Sequence, residues 1–179
     1  MSEFLRVVRL LAMVVWVGGL VFFAFVVAPV AFHVLPSKHE AGMVVAGTLR
    51  ALNETGFVCG FLFMMAVPWK LQGPRSHRLA LAELLCIAGM MAATMVVQWK
   101  IVPQMERDRI AVGGDVDAAA EDNPARRDFE RLHPVSEKVE GTALFLGVGV
   151  VVLMGLEGSP SADPSAPRAT QVPNASSAD

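Results

Sequence analysis

Cysteine is scarce in this chain: Cys59 and Cys86 are the only two. Neither belongs to a CxxC pair or stands at a metal-ligand spacing from a histidine, which leaves no basis for a disulfide framework or a zinc module. Both lie in apolar blocks and read as small packed hydrophobes. Charge is scarce too. Charged residues make up 18% of the sequence, against roughly 25% in a soluble domain. The net charge of −2 makes no case for a nucleic-acid partner. No Ser/His/Asp arrangement, phosphate loop, GxSxG or HExxH occurs, so nothing supports nucleophilic or hydrolytic catalysis. The expectation is a protein that is not an enzyme.

Apolar length is what the chain does have. Hydrophobic residues are 54% of it, gathered in four blocks with charged punctuation between them. The first block, Leu10 to Phe32, has no charged residue and exceeds the roughly 20 residues that cross a hydrocarbon core. Arg6 and Arg9 precede it, but the run is too long for a cleaved signal and reads as a retained helix. Pro29 should kink that helix near its end. The second block, Thr55 to Trp69, is short, so Ser37 to Leu52 reads as a separate interfacial or re-entrant helix. The third runs from about Leu79 to Val102, with Trp69 and Trp99 placed where indoles favour headgroups. The fourth, Thr142 to Leu156, should begin at Pro134, since proline suits the first helical turn.

Lipid tolerates only helices or closed barrels, and these blocks do not alternate as barrel strands do. The fold class is therefore all-α: a four-helix transmembrane domain over 1–157, followed by a Pro/Ser/Ala-rich tail over 158–179 that lacks the apolar content to fold. Gly18, Gly19, Ala82, Gly89, Ala93, Gly147 and Gly149 are small residues suited to close helix approach. Arg6, Arg9, Lys70, Arg75 and Arg78 place both termini in the cytoplasm by the positive-inside rule. The long loop from Lys100 to Lys138 carries more basic residues, which argues the other way. The lipid bilayer is the partner the composition demands, with self-association or another membrane protein besides.

Several residues could carry chemistry. His33, His39 and His133 would share the outer face, with His33 and His133 close together, where imidazoles can bind metal or haem or sense pH. Glu130 and Glu137 flank His133, and a Glu-x-x-His pair is half of a carboxylate-bridged di-metal site, although Pro134 disfavours helical geometry at His133. Met64 and Met65 in the second span, with Met90, Met91 and Met95 in the third, should lie at similar depth and offer soft ligands for copper. Methionine also simply fills gaps between helices. Glu83 is an acid inside a span and a functional candidate on that ground, or a partner for Arg78.

The runs Trp16-Val17-Gly18-Gly19-Leu20, Phe22 through Pro29, Phe32-His33-Val34-Leu35-Pro36 and Phe129-Glu130-Arg131-Leu132-His133-Pro134-Val135-Ser136 are together similar to a known pattern. They resemble the bacterial relatives of the transmembrane-protein-205-like family, filed as a domain of unknown function. The resemblance covers about residues 5 to 156. It implies a four-helix integral membrane protein of unassigned biochemistry, with transport or resistance as the suspected role. The Trp-x-Gly-Gly run is also similar to copper-resistance D proteins and to a four-helix haem-binding protoporphyrinogen oxidase family. In those a histidine stands seven residues before the tryptophan, where this chain has Arg9. The expectation is an inner-membrane protein without a cofactor. The rival readings are a haem- or copper-binding redox protein and a membrane scaffold or assembly subunit.

Overall fold

The computed structural model describes residues 2–67 and 74–157. Trp69, Lys70 and the tail over 158–179 lie outside the described residues. All regular structure among the described residues is helical. Helix α1 (Ser2–Phe22) runs through a π-helical turn, π1 (Phe23–Val27), into α2 (Ala28–Val34). Helix α3 spans Lys38–Ala66. Helix α4 (Pro74–Val96) continues through π2 (Val97–Ile101) into α5 (Val102–Ala111), and α6 spans Pro124–Glu157. Three of these four rods are long and apolar enough to cross a membrane: Glu3–Val34, His77–Ala111 and Pro124–Leu156.

Local chemistry sets the ends. Leu35 is extended because the residue before a proline avoids helical geometry, and this stops α2. Ser37 then caps α3, its Oγ accepting from the Glu40 N–H at 3.1 Å, as the Ser-x-x-Glu pattern allows. With that cap in place and no proline downstream, residues 38–66 form one unbroken helix. The separate interfacial helix expected over Ser37 to Leu52 is therefore absent. Gly113 and Gly114, at φ 84° and 103°, close α5 by donating to Ile110 O and Arg109 O.

The prolines are accommodated inside the rods, and Pro134 departs from the sequence expectation. Pro29 and Pro103 each follow a π-helical turn, in which Ala28 N–H reaches Phe23 O and Val102 N–H reaches Val97 O. A proline ring clashes with the carbonyl one turn back, and the wider turn relieves that clash without ending the helix. The first rod thus continues to Val34 and the third to Ala111. Pro134 does not start α6 but sits ten residues inside it, and His133 is helical. The true start is Asn123-Pro124, where Asn123 Oδ1 accepts from Ala125 N–H at 2.9 Å.

The rods pack as a ring in which α1 and α4 each touch both α3 and α6. That leaves α1 diagonal to α4, and α3 diagonal to α6. Trp16, Phe63, Ile87, Met90 and Val150 are fully buried at the centre. Phe25, Phe61 and Phe145 are 71%, 59% and 79% exposed, an outward apolar surface that lipid would solvate and water would not. Trp16 needs the closest approach. A Cβ on Gly56 would lie 2.4 Å from its Nε1, and one on Gly60 2.9 Å from its ring. Gly56→Leu should therefore expel the indole and lower stability by about 1–3 kcal/mol. Gly18→Ala, with open space at its Cβ, should leave the thermal midpoint of detergent-purified protein unchanged or slightly raised.

Candidate functional site

Two buried polar ties cross the bundle along its two diagonals. The first joins α1 to α4. Arg9, 5% exposed, donates from Nη2 to Oε2 of Glu83, 0% exposed. The Arg9 guanidinium also lies 5.0 Å from the centre of the Phe63 ring, adding a cation–π contact from α3. Arg9 falls on the same stripe as Ala12, Met13, Trp16 and Leu20, all buried, because residues three and four apart share a helix face. It is therefore an interior residue of the bundle, and Glu83 pairs with it, whereas Arg78 is exposed.

The second tie joins α3 to α6. Asn53, 0% exposed, donates from Nδ2 to Glu140 Oε1 at 3.1 Å. Phe63 marks the depth of the first tie on α3, so ten residues, or about 15 Å, separate the two ties. Asn53 Oδ1, Glu140 Oε2, Gln98 Oε1 and Trp16 Nε1 are buried with no hydrogen-bond partner.

A cavity of about 440 Å³ opens between α3, α5 and α6 on the side of the second tie away from the first. Gly42, Val45, Ala46 and Leu49 of α3 form one wall, and Leu49 is one turn from Asn53. Phe129, Glu130, His133 and Ser136 of α6 form another, and Ser136 is one turn from Glu140. The cavity thus leads toward the Asn53–Glu140 pair. Its mouth is charged: Lys38 lies 3.8 Å from Asp117, and Arg109 bonds Glu106 at 2.7 Å. The loop after α5 is held over it by Arg126, which donates to Ala119 O at 2.6 Å and to Glu130 at 2.7 Å.

The sequence-picked candidates divide. Glu130 and His133 line the cavity, where His133 stacks on Phe129 with ring centres 6.3 Å apart and meets Glu137 at 3.3 Å. The second imidazole in that lining is His39, not His33. His33 is exposed at the end of α2, while its neighbour Phe32 faces the cavity. Glu83 lies in the other tie. The methionines do not converge: Met65 and Met95 are 65% and 42% exposed, whereas Met90 is fully buried against Gly147. Met91 packs toward Gly60, and Met64 lies against the core. Among the described residues, no group of three or more His, Cys, Asp or Glu side chains could hold a metal.

Residues 11–109 match a family model described as Domain of unknown function (DUF4149). That match takes in more than half of the 179 residues. The chain belongs to this family. No curated protein and no solved structure matches it. The DUF4149 segment runs from α1 to near the end of α5, and so holds Trp16, Asn53, Glu83 and Gln98. Arg9 and the whole of α6, with His133 and Glu140, lie outside the matched residues.

Sequence reasoning missed Arg9, Asn53 and Gln98 as interior groups. The signal for Arg9 was its seven-residue spacing from Trp16. For Asn53 it was the row Asn53, Gly56, Gly60 and Phe63 at helical spacing. The Asn53–Glu140 bond carries a prediction. Asn53→Ala should cost about 1.5–3 kcal/mol, the range for a buried hydrogen bond to a charged group. The exposed neighbour Glu54→Ala should change stability by less than about 0.5 kcal/mol. Thermal unfolding of both variants in one detergent checks the difference.

Proposed function

We propose that this chain is a four-span inner-membrane protein that takes a small amphipathic cation into the cavity between α3, α5 and α6, in a transport or resistance role. Helix α3 supplies the fourth span. Its 29 residues would extend about 43 Å, beyond the roughly 30 Å of a hydrocarbon core. Both termini face the cytoplasm, which puts the cavity on the outer side. Arg50, Glu54, Trp99 and Lys100 are exposed around the bundle near the depth of the Asn53–Glu140 pair. Charges and an indole at one level suit the interfacial half of the span, from which long side chains reach the headgroups, so the cavity lies toward water. The resemblance to the transmembrane-protein-205-like family agrees with this reading.

The observation that carries it is the composition of the cavity. Phe32, Val45, Leu49, Val102, Met105 and Phe129 offer an apolar interior. Glu106, Asp115, Asp117 and Glu130 outnumber Lys38 and Arg109 at its edge. Apolar walls with a net acidic rim favour an apolar body carrying positive charge. Haem or copper has only the shared lining by His39 and His133 behind it, and a Soret band or bound copper in purified protein would favour that rival.

The test is binding of tetraphenylphosphonium to the full chain in detergent or nanodiscs. Wild type should bind it saturably, and Gly42→Trp should weaken binding at least tenfold by filling the cavity. Nothing lies within 4 Å of a Cβ at Gly42, and glycine is a poor residue inside a helix, so this variant should stay folded. Non-saturable partitioning that is equal in the two proteins would contradict the proposal.

A further inference from the structure

Among the described residues, Asn53 Oδ1, Gln98 Oε1 and Glu140 Oε2 are buried acceptor oxygens without a hydrogen-bond partner, as is Asp108 Oδ2 farther along the bundle. Packing brings the first three to one depth by two independent routes. Along α4 and α6, Met90 meets Gly147, and about two turns further on in the antiparallel pair come Gln98 and Glu140. Along α3 and π2, Phe57 stacks on Trp99 with ring centres 5.5 Å apart, one turn from Asn53 and one residue from Gln98. The Asn53–Glu140 bond closes the set. The unpartnered donor nearby, Trp16 Nε1, presses on Gly56, one turn along α3 from Asn53.

Surplus acceptors around a carboxylate, shielded from water, are costly unless a positive species satisfies them. We propose that Asn53, Gln98 and Glu140 form a binding site for a hard monovalent cation, supplied either as a proton or as Na⁺. A proton would sit on Glu140, and the new O–H would donate to one of the two amide oxygens. Sodium would instead take the oxygens directly, a ligand set that suits hard cations over soft ones.

Among the described residues, no protein cation substitutes for it. Leu10 through Phe32 carry no charged residue. On α3 Arg50 and Glu54 are exposed, as are Lys100 on π2 and Glu137 and Lys138 on α6. The buried Asp108 of α5 is linked through Gln104 to Asp128, about three turns from Glu140. Gln98 itself belongs to π2, which packs on α6. Such turns recur at functional positions. This site stands whether or not the cavity takes an organic cation.

The experiment is infrared spectroscopy and thermal unfolding of the full chain in nanodiscs, wild type beside Glu140→Gln. Glu83 is present in both proteins and cancels. If the cation is a proton, the difference spectrum at neutral pH shows the carbonyl stretch of a buried protonated carboxyl, unmoved by sodium chloride. If it is Na⁺, sodium chloride raises the wild-type midpoint over choline chloride at equal ionic strength. That rise should be roughly 5–10 °C at a hundredfold excess over Kd, and absent in Glu140→Gln. Should Glu140→Gln fail to fold, Gln98→Leu keeps the carboxyl and should shift the band or abolish the sodium effect. Absence of both a carboxyl band assignable to Glu140 and a sodium-specific rise overturns the proposal. No saturable tetraphenylphosphonium binding by wild type, with this ion site intact, would sink the cavity reading alone.

Discussion

A charged or amide side chain held inside a membrane-embedded bundle has to be met by a group on another helix, because lipid offers no hydrogen bonds. That constraint organises this molecule. Arg9 is met by Glu83, and Asn53 by Glu140. Each pair joins helices that are diagonal in the ring, so the two ties between them reach all four rods, and the Arg9–Phe63 contact links one pair to the other. Apolar packing between helices has no hydrophobic drive in lipid. Polar ties of this kind, with the Trp16 seat on Gly56 and Gly60, therefore carry much of the burden of specifying one arrangement.

The spacing of the ties also explains where the molecule is closed and where it opens. Between them the core is tight, with Trp16, Ile87 and Met90 fully buried. Beyond Asn53–Glu140, α5 replaces α4 as the neighbour of α6. The facing residues there shrink to Gly42 and Ala46 on α3, and the space between rods becomes the cavity. The π-helical turns belong to this transition. They let the rods pass Pro29 and Pro103 without breaking, and so carry helical walls on to the cavity mouth.

Much of the fold was legible in the sequence because apolar block length reports membrane helices directly. The all-helical character and three of the long apolar rods could be read from it. The α3 boundary was misread because hydropathy dips at Arg50, Asn53 and Glu54, while the backbone responds to the Ser37 cap and to the absence of proline. The α6 start was misread because Pro134 looked like a first-turn residue, although Asn123-Pro124 carries the stronger start signal. Of the site, Glu130 and His133 could be found as polar residues beside an apolar block. The partners of Glu83 and Glu140 could not, since Arg9 lies 74 residues from Glu83 and Asn53 lies 87 from Glu140. Helical spacing shows which face a residue shares, not which distant helix that face meets.

The central claim is that opposite polar groups tie the diagonals of the bundle. Charge reversal at the first tie tests it most directly, read as the thermal midpoint of the full chain in detergent. Arg9→Glu and Glu83→Arg should each destabilise severely by burying like charges together, by about 3–5 kcal/mol or more. Combined, they restore an opposite-charge pair, and the double variant should recover a large part of that loss. A single reversal as stable as wild type, or a double variant no more stable than the worse single, would contradict the account.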